Sequence, residues 1–177
     1  MMEAYRSALL SHYAGVWGPG FVDTRMVAGP VEDLGDEFGV FVFRPSKARS
    51  LWTYATHGMS SIELHLFSPV ETVAHVELLT AISHYHLTTR LDLGHTVNFG
   101  RPWLPGSKCE FGLVSLPLMD GPKLERLDGA SGVRCYWLIP ITSAEREFKV
   151  RNGVEALEDL FQKKKVLPTD PMRSSAV

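Results

Sequence analysis

Tyr5, Ala8, Leu9 and His12 stand at i, i+3, i+4 and i+7, which gives the start of the chain one mostly apolar helical face. Gly15 and the Gly18-Pro19-Gly20 turn are expected to stop this first helix. From Asp36 the period shortens to two: Phe38, Val40 and Val42 alternate with Gly39, Phe41 and Phe43 until Pro45-Ser46 breaks the run. This predicts a strand. Two more follow, Leu51 to Thr56 with Trp52 and Tyr54 on one face, and Ser61 to Phe67 with Ile62, Leu64 and Leu66 together. Short turns between three consecutive strands favour antiparallel pairing.

After Pro69 the stretch Glu71 to Thr88 turns helical, with Ala74, Leu78, Ala81, Ile82 and Tyr85 expected to form its buried stripe. A loop from Leu91 to Ser107 leads to two further strands, Phe111 to Leu116 and Val133 to Ile139, joined by a polar turn from Met119 to Gly132. In the second strand Val133, Cys135, Trp137 and Ile139 share a face. Thr142 followed by Glu145 has capping-box spacing, so a helix should begin there, and Asn152 with Glu155 repeats the spacing before the apolar stripe Val154, Leu157, Leu160 and Phe161. Lys163, Lys164 and Lys165 suit that helix's negative end, and Pro168 closes it. The tail from Thr169 has little to bury and is expected to be loosely held. The order of elements predicts one α+β domain over residues 1–177, with helices on a mainly antiparallel or mixed sheet.

Composition narrows the function. With 177 residues and 45% apolar content, one hydrophobic core can be filled. A net charge of −2 gives no electrostatic case for nucleic acid. Apolar runs are too short for a membrane span and the N-terminus is not a signal peptide, so the expected location is the cytoplasm. Cys109 and Cys135 fit neither a disulfide framework nor a CxxC motif, which favours a reduced compartment while leaving a bridge between them open.

Seven histidines raise the question of metal, most sharply in His84-Tyr85-His86. On a helix, residues two apart point about 200° from each other and cannot share one ion, so no metal site is expected there. His57 lies close to Ser60 and Ser61, but no GxSxG elbow surrounds either serine. HExxH, GxxxxGK and GxGxxG are absent as well, and no cofactor is expected. The polar groups left for an unusual enzyme are His57, Asp92, His95 and Asn98. The acidic group Glu32, Asp33, Asp36 and Glu37 does not match a calcium loop and reads as a solvated segment that could meet a basic partner. Trp103, flanked by Arg101, Pro102 and Pro105, either plugs the core or anchors a partner, since exposed aromatic and arginine side chains are common interface anchors.

Several blocks, in order, resemble the Suppressor of fused domain, especially its short bacterial members: "WTYATHGMSS", "IELHLFSP", "GHTVNFGRPWLPGS", "WLIPITSAEREFKVRNGVEALEDLF" and "DPMRSS". The resemblance covers roughly residues 36–175. It implies a compact α/β domain without catalytic machinery that works by binding other proteins; animal members restrain transcription factors, and bacterial members are thought to act as immunity proteins against polymorphic toxins. This chain lacks the insertion that the animal proteins carry between "HGMSS" and "IELHL", and the contacts made by their second domain do not transfer. The positions that carry over are Trp52, Tyr54, Thr56, Gly58, Ser60, Glu63, Leu64, Gly94, Pro140, Glu145, Gly153, Leu157 and Arg173. Gly58 and Gly94 suit turns needing unusual backbone angles, and Arg173 is expected to pair with a carboxylate and hold the tail.

The function expected is therefore non-enzymatic protein binding by stoichiometric occlusion, with Arg101, Trp103 and the Glu32, Asp33, Asp36, Glu37 segment as the partner surface. The partner is another protein, possibly a toxin, and pairing with a second copy stays open. The alternatives are a small-molecule hydrolase or lyase using His57 or His95, and a structural subunit of a larger assembly.

Overall fold

The computed structural model describes residues 2–127 and 132–177. Part of the turn expected from Met119 to Gly132 lies outside the described residues. The sheet has seven strands: β1 (Phe21–Thr24), β2 (Gly39–Phe43), β3 (Trp52–His57), β4 (Ile62–Ser68), β5 (Thr96–Asn98), β6 (Cys109–Ser115) and β7 (Arg134–Thr142), in the order β1-β2-β3-β4-β7-β6-β5. All neighbours are antiparallel except β4 and β7, which run parallel. That parallel step requires a crossover, and α2 (Val73–Thr88) belongs to it. The fold is α+β with a mixed sheet, and the expected meander is β2-β3-β4.

Both faces of the sheet are covered. Val40, Val42, Tyr54, Leu64 and Leu66 point to the side where α2 and a 3-10 turn at Pro30–Leu34 pack. Phe41, Phe43, Phe67, Trp137 and Ile139 point to the other, under α1 (Met2–Trp17), α3 (Pro122–Glu125) and α5 (Val154–Lys163). The expected alternation therefore holds, with aromatic rings on one face and mostly aliphatic groups on the other. Cys109 and Cys135 fall into opposite cores and are free thiols, so no bridge joins them.

Several expectations are corrected. The first helix runs through Gly15 to Trp17, and its buried line is Leu9, Tyr13 and Trp17, while Ala8 is exposed. A helical glycine costs only about 1 kcal/mol against alanine. Burying the Trp17 ring outweighs that, and Gly18, at φ +92, ends the helix instead.

On α2, Leu78 and Ile82 of the expected stripe are buried while Ala81 and Tyr85 are exposed, and the buried side extends instead to His75, Leu79 and His86. Counting apolar residues missed it because Thr80 and Ser83 are buried too, each hydroxyl donating to the carbonyl one turn back, of Val76 and Leu79, at 2.7 Å.

Thr142 and Glu145 form the expected capping box for α4 (Ser143–Asn152). Asn152 does not start a second one; its amide donates to the Phe148 carbonyl at 2.9 Å, and Gly153, at φ +91, separates α4 from α5. The segment expected to be all loop contains β5, and β1 was missed altogether.

The tail is held, not loose. Arg173 donates to Glu145 Oε1 and Oε2 at 2.6 and 2.7 Å and to the Pro140 carbonyl at 3.0 Å. The Ala176 N–H adds a bond to Glu145 Oε1 at 2.8 Å, and Ala176 is itself buried.

Candidate functional site

Two of the family-like positions, Thr56 and Gly58, converge on a third, the buried carboxylate of Glu63. Strand alternation turns Glu63 of β4 into the aromatic side of the core, where a charge is costly without partners. It receives four: Thr56 Oγ1 at 2.6 Å, the Tyr5 hydroxyl at 2.7 Å, and the N–H groups of Gly58 and Met59 at 2.8 and 3.1 Å. Burial pushes the Glu63 carboxyl above its ordinary range against these donors. The Gly58 turn is fixed by close approach, since a Cβ there would meet the Glu37 carbonyl oxygen at 2.8 Å. Ser60 next to it also takes a positive φ, of 82°. Glu63 thus locks the β3–β4 turn and ties α1 to it; it is surrounded by protein and offers nothing to a substrate.

His57 is equally committed. Its Nδ1 faces the Glu37 carbonyl and its Nε2 faces Asp23 Oδ1, both at 2.9 Å. Both are acceptors, so the ring has no lone pair directed at a substrate. Burial raises the Asp23 carboxyl, but the bonds from His57 and Arg6 outweigh it and hold it below the usual carboxylate range. Ser60 and Ser61 play no part in this cluster, and Ser61 Oγ instead lies 3.3 Å from His86 Nε2. Asp23 was not expected because a four-residue strand carries too short a pattern to stand out.

His95 and Asn98 serve their own loop, and Asp92 ties that loop to β7 by accepting from the Tyr136 hydroxyl at 3.3 Å. The Asp92 N–H donates to His95 Nδ1 at 3.2 Å, and Asn98 Oδ1 accepts from the Gly100 N–H at 2.7 Å. Gly94, at φ +81, donates its N–H to the Val114 carbonyl and so fixes the approach to β5. His84 and His86 point apart as the helix requires, His84 to Asp33 Oδ2 at 3.0 Å and His86 Nδ1 accepting from the Leu91 N–H. Among the described residues no three His, Cys, Asp or Glu side chains gather as a metal site would require. Nor is any described helix long and apolar enough to cross a membrane.

Trp103 belongs to the core. It is 3% exposed and stacks on His75 with centroids 5.6 Å apart and planes 13° from parallel. Arg101 beside it is exposed and donates to Glu77 Oε2 at 3.2 Å. Glu32 and Asp33 lie on the 3-10 turn that packs on α2, so Arg101, Glu32 and Asp33 are gathered around that helix. Asp36 and Glu37 are not; they line a separate cleft of about 510 Å³ with Arg6, Asp23, Arg25 and His57.

The outer side of α2 is grooved. One groove of about 480 Å³ runs between Ile82 and Tyr85 of α2, β5, Phe111 and Arg146. A second, of about 310 Å³, lies between Glu77 and Thr80 of α2, Met26, Pro30 and Arg101. They share Leu78, Ala81 and Phe99, which makes one apolar floor with a cation toward either end. Arg146 is placed there by the α4 capping box and lies 5.3 Å over the Phe111 ring. β5 borders the floor as an edge strand whose outer backbone groups have no strand partner among the described residues.

The chain is thus a seven-stranded α+β domain with a grooved helix face, and its best-placed polar clusters hold turns and termini. The family model for Suppressor of fused protein (SUFU) matches residues 35–174, and the chain belongs to that family. A SUFU homolog from Neisseria gonorrhoeae FA 1090 is 32% identical, with 99% of this chain and 98% of that one covered and a TM-score of 0.90. The Sufu–Fu complex contains a chain 16% identical over 96% of this chain and 91% of that one, at a TM-score of 0.71. Drosophila Suppressor of Fused is 15% identical at a TM-score of 0.72, over 97% of this chain and 51% of its own length. These last two show a shared fold. No curated protein sequence matches the chain.

Proposed function

We propose that this chain is a non-enzymatic protein-binding domain that acts by covering a surface of one partner, and that in its host it is an immunity protein occluding a toxin. The observation that carries the reading is the face of α2, where an apolar floor with two joined grooves lies beside a free sheet edge and is flanked by Arg101 and Arg146. Such a face suits an extended segment, because the strand edge supplies backbone hydrogen bonds and the grooves take alternate side chains. The existence of a Sufu–Fu complex shows that a protein of this fold engages a protein partner, which supports the class of function. The partner surface expected from sequence shrinks to Arg101, Glu32 and Asp33 and gains Tyr85 and Arg146, since Trp103 is spent on the core. Nothing in the surroundings of His57 or His95 favours hydrolysis.

The test is affinity capture of the tagged chain from its host, identification of what is retained, and titration of the purified pair. One protein bound 1:1, whose toxicity the chain suppresses and whose binding falls at least about tenfold, or about 1.4 kcal/mol, with Arg101→Glu and Tyr85→Ala together, supports the reading. A purified partner bound equally well by that variant moves the surface elsewhere, and recovery of the bait alone across growth conditions defeats the proposal.

A further inference from the structure

β1 ends the sheet on the side away from β5, and among the described residues no strand pairs with its outer edge. The Arg44 N–H donates to the Gly20 carbonyl at 2.9 Å, and Phe21 lies opposite Phe43. Antiparallel alternation therefore turns the backbone groups of Val22 and Thr24 toward β2 and those of Asp23 outward; extending the strand by one residue would turn those of Arg25 outward as well. Natural edge strands are usually protected by short length, charge, lysine, proline or a bulge; Phe21–Thr24 is short and carries Asp23, but it has no lysine, proline or bulge. Val22 is 50% exposed there and borders a groove of about 210 Å³ with Trp52 and Val73, the last 65% exposed.

We propose that β1 pairs antiparallel with β1 of a second copy of this chain, about a two-fold axis at Thr24. The sequence Val22-Asp23-Thr24-Arg25-Met26 is self-complementary in that register. Each Asp23 stands opposite the second copy's Arg25, each Val22 opposite its Met26, and Thr24 opposite Thr24. Opposite charges and threonine pairs across strands are favourable. Moving the axis by one residue, to Asp23, sets two carboxylates against each other, so charge selects the register. Within one copy Asp23 is paired with Arg6 and His57, and Arg25 lies 3.9 Å from Asp36, so the cross-copy Asp23–Arg25 pairs join charge networks already in place. A two-fold contact of this kind is closed and uses the same patch on both copies. β5 and the groove beside Tyr85 and Arg146 stay free, whereas Met26 also lines the groove beside Arg101, so self-pairing borders that end of the partner surface.

The full chain carrying Thr24→Cys tests the geometry. Residues facing each other at a non-hydrogen-bonded position have Cα atoms about 4.5 Å apart, within disulfide range, whereas the native Cys109 and Cys135 are buried and silent. Under mild oxidation Thr24→Cys is expected to cross-link into dimers at least about tenfold faster than Val27→Cys, a control that is 96% exposed. In parallel, light scattering of the unmodified chain over a roughly hundredfold concentration range should show the mass rising toward twice 19.7 kDa, with Arg25→Glu shifting the transition to about tenfold higher concentration. A mass that stays at one chain throughout, cross-linking of Thr24→Cys no faster than the control, or association unchanged by Arg25→Glu overturns the proposal.

Discussion

Glu145 and Arg173 face each other as a two-bond ion pair across 28 residues of chain, with both side chains buried. Burial raises the Glu145 carboxyl, but Arg173, the Thr142 and Ala176 N–H groups and the local charge outweigh it and hold it below its ordinary range. The Arg173 guanidinium, which burial alone would lower, is raised by the same partner. One carboxylate thereby closes the α4 capping box and holds the chain's last residues. Arg173→Ala leaves that carboxylate buried with one cation fewer and should cost about 3–5 kcal/mol, read as a lowered urea midpoint with an unchanged slope. A midpoint like that of the unsubstituted chain would mean the tail contributes nothing.

Gly39 is needed by a neighbour's side chain. A Cβ at position 39 would come within 2.6 Å of His57 Nε2, the atom that crosses β2 to reach Asp23 on β1. In most strands glycine to alanine is neutral or stabilising. Here Gly39→Ala should destabilise by about 1–3 kcal/mol, and most of that cost should vanish when His57→Ala is already present. Equal costs in the two backgrounds, measured by a double-mutant cycle, would show that the ring is not what excludes a side chain.

Burial lowers His65 to about 3 and His75 to about 4, with Arg49 and Arg101 adding to the effect. Both rings are depressed from about 6.5, so between pH 6.5 and those values the unfolded chain binds the protons that the folded chain refuses. Stability is therefore full above about pH 6.5 and falls with pH below it, by up to about 1.4 kcal/mol per pH unit for each ring. The depressed carboxyls of Asp23 and Glu145 act only at lower pH. The raised carboxyls of Glu63 and Asp120 oppose the slope and the lowered His86 adds to it, so substitution is what isolates a single ring in urea unfolding between pH 7 and pH 5. His65→Phe should flatten that slope by about one proton. An unchanged slope would assign the proton uptake elsewhere.

Arg101 and Trp103 separate binding from folding. Trp103→Ala removes a ring stacked on His75 inside the aliphatic core and should cost about 3–5 kcal/mol. Arg101→Ala removes one side of an exposed ion pair and should change stability by no more than about 0.5 kcal/mol. Thermal unfolding of the two variants distinguishes the cases, and it makes Arg101 the residue to alter in a partner assay.

Much of this could be read along the chain because it rests on local rules. Period-two alternation placed β2, β3, β4, β6 and β7, since successive side chains of a strand must face opposite ways. The Thr142–Glu145 spacing marked the start of α4 because both partners of a capping box lie within one turn. Gly58 and Gly94 stood out as turn residues, and both take positive φ. The ordered family blocks carried the family itself, which the match over residues 35–174 bears out.

What the sequence could not supply were relationships between distant positions. That Arg173 needs a carboxylate could be anticipated, but only the fold chose Glu145 and made an anchor of the tail. Trp103 read equally well as plug or anchor until α2 brought His75 beneath it. The stripe on α2 was misplaced because hydroxyls that satisfy themselves on the helix backbone can be buried as readily as apolar groups. His57 looked like a neighbour of Ser60 and became a partner of Asp23, on a strand too short to announce itself. Periodicity is fixed by covalent geometry and survives in the sequence, whereas burial and pairing depend on which elements meet, and that is set by packing the whole domain at once.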